Sequence, residues 1–179
     1  LRMYDSEKER LDMARRLEIA SVSNIRANLR YYQRRKNATE LEAAVKDMTD
    51  IITKLNEARD INHMMMLEAQ ARQKYYGCFN SILEGKQFYF DKRTRRPPQD
   101  PLNAMISFGN TLLYQRIANE INRTSLDIRI GIVHAAGNRP ESLNLDLADL
   151  FKPILVDRTI FTLVNRKMIN VNDFVEVEN

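Results

Sequence analysis

The chain has 179 residues, enough for one packed domain with at most a small appendage. Apolar residues make up 44% and charged residues 29%, which excludes a disordered chain, and five Gly with five Pro exclude collagen, propellers and Gly-rich linkers. The net charge of +4 is mild, but 19 Arg stand against 9 Lys, and the planar guanidinium fork favours an anionic polymer as partner.

No stretch of 18 apolar residues offers a membrane span. The opening LRMYDSEKER is charged, lacks the apolar core of a signal peptide, and starts on Leu1, so it reads as part of a longer chain. The single Cys78 forbids an internal disulfide and a Cys-based zinc site, which suits a reducing cytoplasm.

Taken in order, the segments read as helices. Residues 6–35 carry Met13, Leu17, Ala20, Val22, Ile25, Leu29 and Tyr32 in a helical stripe. A second helix follows, with Thr39 and Glu42 as an expected capping box and Leu41, Ala44, Val45, Met48, Ile51, Ile52 and Leu55 on one face. A third is expected from about Ile61 to Leu83, ended by Gly85. The stretch EGKQFYFDKRTRRPPQD is a loop, because Pro97 and Pro98 forbid helix until Asp100 caps a helix whose first residue is Pro101. Leu102, Ile106, Gly109, Leu113, Ile117 and Ile121 share a face of that helix. LDIRIGIVH alternates at first but has no partner strand, so it reads as an extended connection. From about Asp146 to Lys167 the pattern is helical, bent or split at Pro153. The fold class is therefore all-α, a multi-helix domain with a proline-rich basic loop.

Several chemistries are absent. There is no GxG fingerprint or P-loop, no HExxH, no GxSxG and no Glu-x-x-His pair. His63 reads as a partly buried helix residue. His134 ends an apolar segment, and Asp146 and Asp149 follow twelve and fifteen residues later, three apart on a helix. Imidazole and carboxylate together can hold Mn²⁺ or Mg²⁺, whereas two aspartates in a first helical turn can equally serve the helix dipole. Glu68 has Arg72 four residues on, and a solvated ion pair is the simpler reading. Lys92, Arg93, Arg95 and Arg96 form a cationic loop stiffened by Pro97 and Pro98; it is a solvated surface or a phosphate clamp that loses little entropy on binding. Tyr75, Tyr76 and Tyr114 read as core.

Three blocks resemble one family. RTRRPPQDPLNAMISFGNTLLYQ, GIVHAAGNRPESLNLDLADLFKPILVDRTIFTLVNR and LEAQARQKYY are similar to signatures of the CRISPR-associated integrase of CRISPR adaptation (Cas-one), in that family's order and within residues 67–167. The glutamate block has Ala69 where the family usually has Gly, and Asn110 stands where Tyr is frequent. The resemblance implies the family's α-helical C-terminal domain, with residues 1–36 as linker and first helix, 37–179 as the catalytic domain, and the family's N-terminal β domain absent from this chain. It implies a metal site of Glu68, His134 and Asp149 with Asp146 beside it as a fourth catalytic residue, and Mg²⁺ or Mn²⁺ as cofactor. It implies DNA contacts through Lys92, Arg93, Arg95 and Arg96, and a structural or active-site role for Asn103. The implied activity is metal-dependent endonuclease and integrase chemistry: a 3′-hydroxyl of a short DNA duplex, the prespacer, attacks a phosphodiester in the CRISPR repeat. The implied partners are DNA, the small protein Cas-two and a second copy in a homodimer, in a prokaryotic cytoplasm with no membrane role. The alternative is a non-catalytic helical module that holds DNA or a protein through the Arg loop.

Overall fold

The computed structural model describes residues 6–36, 38–84, 86–134 and 141–175. Among them there is no strand, and the all-α expectation holds. Helix α1 (Glu7–Lys36) is followed after a short connection by α2 (Thr39–Glu57), and α3 (Ile61–Gly77) packs on both. A one-turn α4 (Phe79–Ile82) and a 3₁₀ turn (Lys86–Phe88) lead into the basic loop. Helix α5 (Pro101–Ile121) is followed by the extended connection, then by α6 (Leu143–Phe151), a π-helical segment (Lys152–Asp157) and α7 (Arg158–Asn165). A final 3₁₀ turn spans Val171–Asp173. Among the described residues no helix is long and apolar enough to cross a membrane.

One core runs through these elements. Ile25 and Leu29 of α1, Leu41 and Met48 of α2, Met64 of α3, Phe79, Leu102 and Phe161 are all fully buried in it. The rings of Tyr75, Phe79, Phe161 and Tyr32 meet edge to face, the geometry that aromatic quadrupoles favour.

Several expected boundaries move. The N-cap of α2 is Ala38, whose side chain cannot cap, so Thr39 is already helical and no capping box forms with Glu42. The third helix does not run unbroken to Leu83. It stops at Gly77, bends at Cys78 and resumes for one turn before Leu83 turns extended. Gly85, the expected terminator, lies outside the described residues. The last helical stretch starts earlier than Asp146, at Leu143 behind Ser142. Asp100 and Pro101 behave as expected: the Asp100 carboxylate accepts from the Asn103 N–H, and Pro101 opens α5.

Pro153 is where the fold departs from an ordinary helix. Lacking an N–H, it cannot donate to the Asp149 carbonyl one turn earlier. The chain widens into π geometry, and α1 supplies the missing donors. Ser21 Oγ donates to the Asp149 carbonyl at 3.1 Å, Asn24 Nδ2 to that of Leu150 at 2.8 Å and Asn28 Nδ2 to that of Pro153 at 3.0 Å. Gly109 on α5 packs against the same segment so tightly that a Cβ there would lie 2.6 Å from Val156. This polar seam fixes the height of α6 against α1, and hence the position of Asp149.

Candidate metal centre

The most constrained residue is Asp146. Its side chain is fully buried, and it accepts from three successive backbone N–H groups: Ile132 at 2.5 Å, Val133 at 3.0 Å and His134 at 3.1 Å. Asp146 therefore ties the connection 128–134 onto the first turn of α6. The close approach needs Gly131, where a Cβ would lie 2.2 Å from the His134 carbonyl and 2.7 Å from Ser142 Oγ. The same carboxylate meets His134 Nδ1 at 2.6 Å. A carboxylate is acceptor-only, so Nδ1 carries the proton and Nε2 keeps its lone pair. His134 is thus held in one tautomer, with no partner on Nε2 among the described residues, the arrangement that a hydrogen-bonded carboxylate gives to metal-ligating histidines.

Asp149 lies one turn on from Asp146. Lys152 Nζ donates to its Oδ1 at 2.5 Å, and Arg72 Nη2 of α3 lies 2.8 Å from the same oxygen, off the line of a hydrogen bond. Burial would raise the Asp149 carboxyl, but the charges of Arg72 and Lys152 hold it below the ordinary value. Arg72 also pairs through Nε with Glu68 Oε1, so one guanidinium bridges Glu68 and Asp149. The Glu68–Arg72 pair is present as expected but is not solvated: the two side chains are 17% and 16% exposed.

Sequence reasoning missed the layer beneath. Glu18 of α1 is buried, and its Oε2 has no partner. Burial first, and then the Asp149 charge, push its carboxyl up to about 8. The signal was there: Glu18 falls in the stripe of Ala14, Ser21, Val22 and Ile25, all buried. Asp157, at the end of the π segment, is pushed up to about 7 by burial, against the pull of Arg72 and its hydrogen bond with Tyr75. Tyr75, buried as expected, also accepts from Asn28 Nδ2 at 2.7 Å. Buried Arg72 stays charged despite desolvation because Asp149, Tyr76, Asp157 and Glu18 surround it.

Of the implied ligands, Glu68 of α3 and Asp149 of α6 meet through Arg72, while His134 of the connection is held by Asp146. The donor set of two carboxylates and one imidazole suits a hard divalent cation such as Mg²⁺ or Mn²⁺. Their oxygens already converge on one positive charge, that of Arg72. A finished shell is not preformed: among the described residues no three His, Cys, Asp or Glu side chains stand close enough to hold a metal ion. Arg72 and Lys152 balance the carboxylates instead.

The basic loop divides. Lys92, Arg95 and Arg96 are exposed. Arg93 turns inward, donating to Asn103 Oδ1 at 2.8 Å, to Ser107 Oγ at 2.9 Å and to the Thr94 carbonyl. Burial lowers its pKa, and its charge reaches Asp157. Asn103, fully buried, is the structural hub: it accepts also from the Thr94 N–H and donates to the Lys92 carbonyl and to Asp100. Asn110 Oδ1 is buried without a partner. His63 is exposed, not half-buried; it stands in the first turn of α3, where Asp60 accepts from its backbone N–H.

Comparison with known proteins decides the family. The profile of "CRISPR associated protein Cas1" matches residues 1–179. The chain belongs to the Cas1 family. It is 41% identical over 174 residues to the CRISPR-associated endonuclease Cas1 of Haloferax volcanii, which covers 97% of this chain and 52% of that protein. The fold matches a Cas1 protein from Thermotoga maritima with a TM-score of 0.87 and 37% identity, over 99% of this chain and 54% of the other. It also matches a chain of a partial Cas6-RT-Cas1–Cas2 complex with a TM-score of 0.91 and 26% identity, over 99% and 52%. The chain spans about half the length of the curated Cas1 relatives it matches. The helical domain expected from the three signature blocks is therefore a Cas1 helical domain.

Proposed function

We propose that this domain carries the metal-dependent DNA cleaving and joining centre of a CRISPR integrase. The supporting observation is the convergence of Glu68 and Asp149 on one guanidinium, with His134 held beside them in a fixed tautomer by Asp146. Glu68, Asp149 and His134 Nε2 would hold Mg²⁺ or Mn²⁺. When bound, the metal lowers the pKa of an attacking hydroxyl and screens the charge that builds on the phosphorus oxygens. Asp146 is the positioning residue: it fixes the imidazole and ties the connection down, and it touches no reacting atom. Asp149 stays a carboxylate through the neutral range because Arg72 and Lys152 offset its burial, so it is ready to exchange one cation for another.

The reaction is an in-line displacement at phosphorus. The 3′-hydroxyl of a prespacer duplex attacks a phosphodiester of the CRISPR repeat, the new ester forms, and the old 3′-oxygen leaves with a proton. With water as nucleophile the same displacement is endonuclease cleavage. Lys92, Arg95 and Arg96 reach solvent beside α5 and would hold DNA phosphates, while Arg93 keeps the loop in shape. The Cas2 named in the matched complex, and a second copy of the chain, are the protein partners we assign.

The test is His134→Ala in a cleavage and strand-transfer assay with Mn²⁺ or Mg²⁺. Both activities vanish while the circular-dichroism melt stays that of the parent. Cleavage that survives in the folded variant would leave a non-catalytic DNA- or protein-binding module as the better account.

A further inference from the structure

We propose that a groove on the outer face of α1, away from the metal centre, is a second phosphate-binding site that takes the sugar–phosphate backbone of a nucleic acid. The groove has a volume of about 390 Å³. Arg26, Arg30 and Arg34 line it in one row, Arg35 and Arg158 close its end around Tyr31, and no acidic residue lines it. Among the described residues none of these five guanidinium groups is in an ion pair. Arg26 donates to Thr49 Oγ1 at 3.3 Å and Arg35 to the Tyr31 carbonyl at 3.0 Å, neutral partners that leave the charges uncancelled.

Two features separate this from an ordinary solvated face. The first is Tyr31. The Arg35 guanidinium lies 3.5 Å from its ring centroid and the Arg158 guanidinium 4.2 Å. One ring thus holds two like charges together, with their planar forks oriented by stacking. Such crowding is relieved by an anion between the forks. The second is the row itself. Helix ends favour cations in their last turn, which accounts for Arg34 and Arg35 but not for Arg26 and Arg30 in mid-helix.

The row also selects the polymer over a free ion. Residues four apart on a helix rise about 6 Å, so three arginines span about 12 Å. Phosphates of one strand rise about 3.4 Å each along the duplex, so the row faces several in succession. A free phosphate would use one or two of the five guanidinium groups. The face is distinct from the catalytic one: Ser21, Asn24 and Asn28 turn toward α6 and the π segment, and the arginine row sits about half a turn of helix away. The groove therefore holds DNA remote from the reacting phosphodiester.

The test is the salt dependence of binding of a short fluorescein-labelled DNA duplex to the whole protein, read by fluorescence anisotropy in EDTA. Without divalent metal, a failure of the catalytic reading does not alter the result. Arg30→Gln with Arg34→Gln weakens binding about tenfold and lowers the slope of log K against log salt by about 2. Arg30→Lys with Arg34→Lys keeps the charge and most of the slope, which excludes a mere folding defect. An unchanged slope and affinity in the folded Gln variant overturns the proposal and leaves an acidic protein surface as the occupant. Loss of inorganic tripolyphosphate binding by calorimetry, with duplex binding intact, overturns it in favour of a free polyphosphate.

Discussion

The two charged regions flanking α1 are built on opposite plans. At the metal centre every cation is committed: Arg72 to Glu68 and Asp149, and Lys152 to Asp149. In the groove on the other face, five arginines stand without a carboxylate among the described residues. A buried charge is tolerated only when paired, and Arg72 and Lys152 supply the pairing for Glu68 and Asp149; under the proposed function a metal would exchange with one of these cations. An exposed cluster loses little to water and can wait for its anion. The contrast teaches that the buried cluster around Arg72 is the costly site to disturb and the groove the cheap one.

The largest effect should follow from breaking the neutralised centre. Arg72→Ala leaves Glu68, Asp149, Asp157 and Glu18 without their shared guanidinium, and in EDTA it lowers stability by about 3–5 kcal/mol. Mn²⁺ restores more stability to the variant than it adds to the parent, since the metal takes the vacated place. Chemical denaturation with and without metal checks both. A variant as stable as the parent in EDTA would mean that Arg72 is not the counter-charge.

The next effect comes from Gly131→Ala, which drives a Cβ into the His134 carbonyl and Ser142. It loosens the connection on Asp146 and lowers Mn²⁺ affinity about tenfold or more, read by calorimetry. Parent-like affinity would show that the connection does not position His134.

A smaller effect is set by pH. Glu18 and Asp157 have folded-state values raised from 4.5 and 3.8 to about 8 and about 7. A raised acid contributes stability that is complete below its unfolded value and is lost as pH climbs through the folded one. Metal-free stability therefore falls between about pH 4 and pH 8. Glu18→Gln removes part of that slope, on the order of 1–3 kcal/mol at pH 8. The same slope in the variant would show that Glu18 is ionised in both states.

The smallest effect belongs to the exposed loop. Arg95→Ala with Arg96→Ala weakens duplex binding and lowers the salt slope by about 2, while Arg93→Ala instead lowers the melting temperature, because it unties Asn103 and Ser107. A salt-slope loss from Arg93→Ala without a change in melting would reverse the division of the loop.

How legible this was depended on whether a residue's role is local. The helices, the Asp100–Pro101 start of α5 and the break at Pro153 followed from propensity and patterning within a few residues. The Ala38 start of α2 and the stop at Gly77 did not, because tertiary packing sets helix ends within a residue or two. At the centre, Glu68, His134, Asp146 and Asp149 stood out through motif resemblance. Arg72 was legible only as the i+4 partner of Glu68, because its contact with Asp149 crosses from α3 to α6, and Lys152, three residues on from Asp149, was not singled out. Spacing alone could not separate Asp146 from Asp149, although the resemblance put Asp149 in the metal set and Asp146 beside it. The two share a helix face, and the three N–H groups of residues 132–134 show that Asp146 ties the connection down while Asp149 faces the guanidinium. The inward turn of Arg93 was hidden for the same reason, its partners lying ten and fourteen residues away on α5.

The central claim is that a divalent cation replaces Arg72 between Glu68 and Asp149, with His134 Nε2 as third ligand. The most direct test is anomalous diffraction at the manganese edge from a crystal soaked in Mn²⁺. The account predicts one peak bounded by Glu68, His134 and Asp149, with the Arg72 guanidinium withdrawn from both carboxylates. An ordered centre at saturating Mn²⁺ with no peak, and with Arg72 still bridging Glu68 and Asp149, would contradict it.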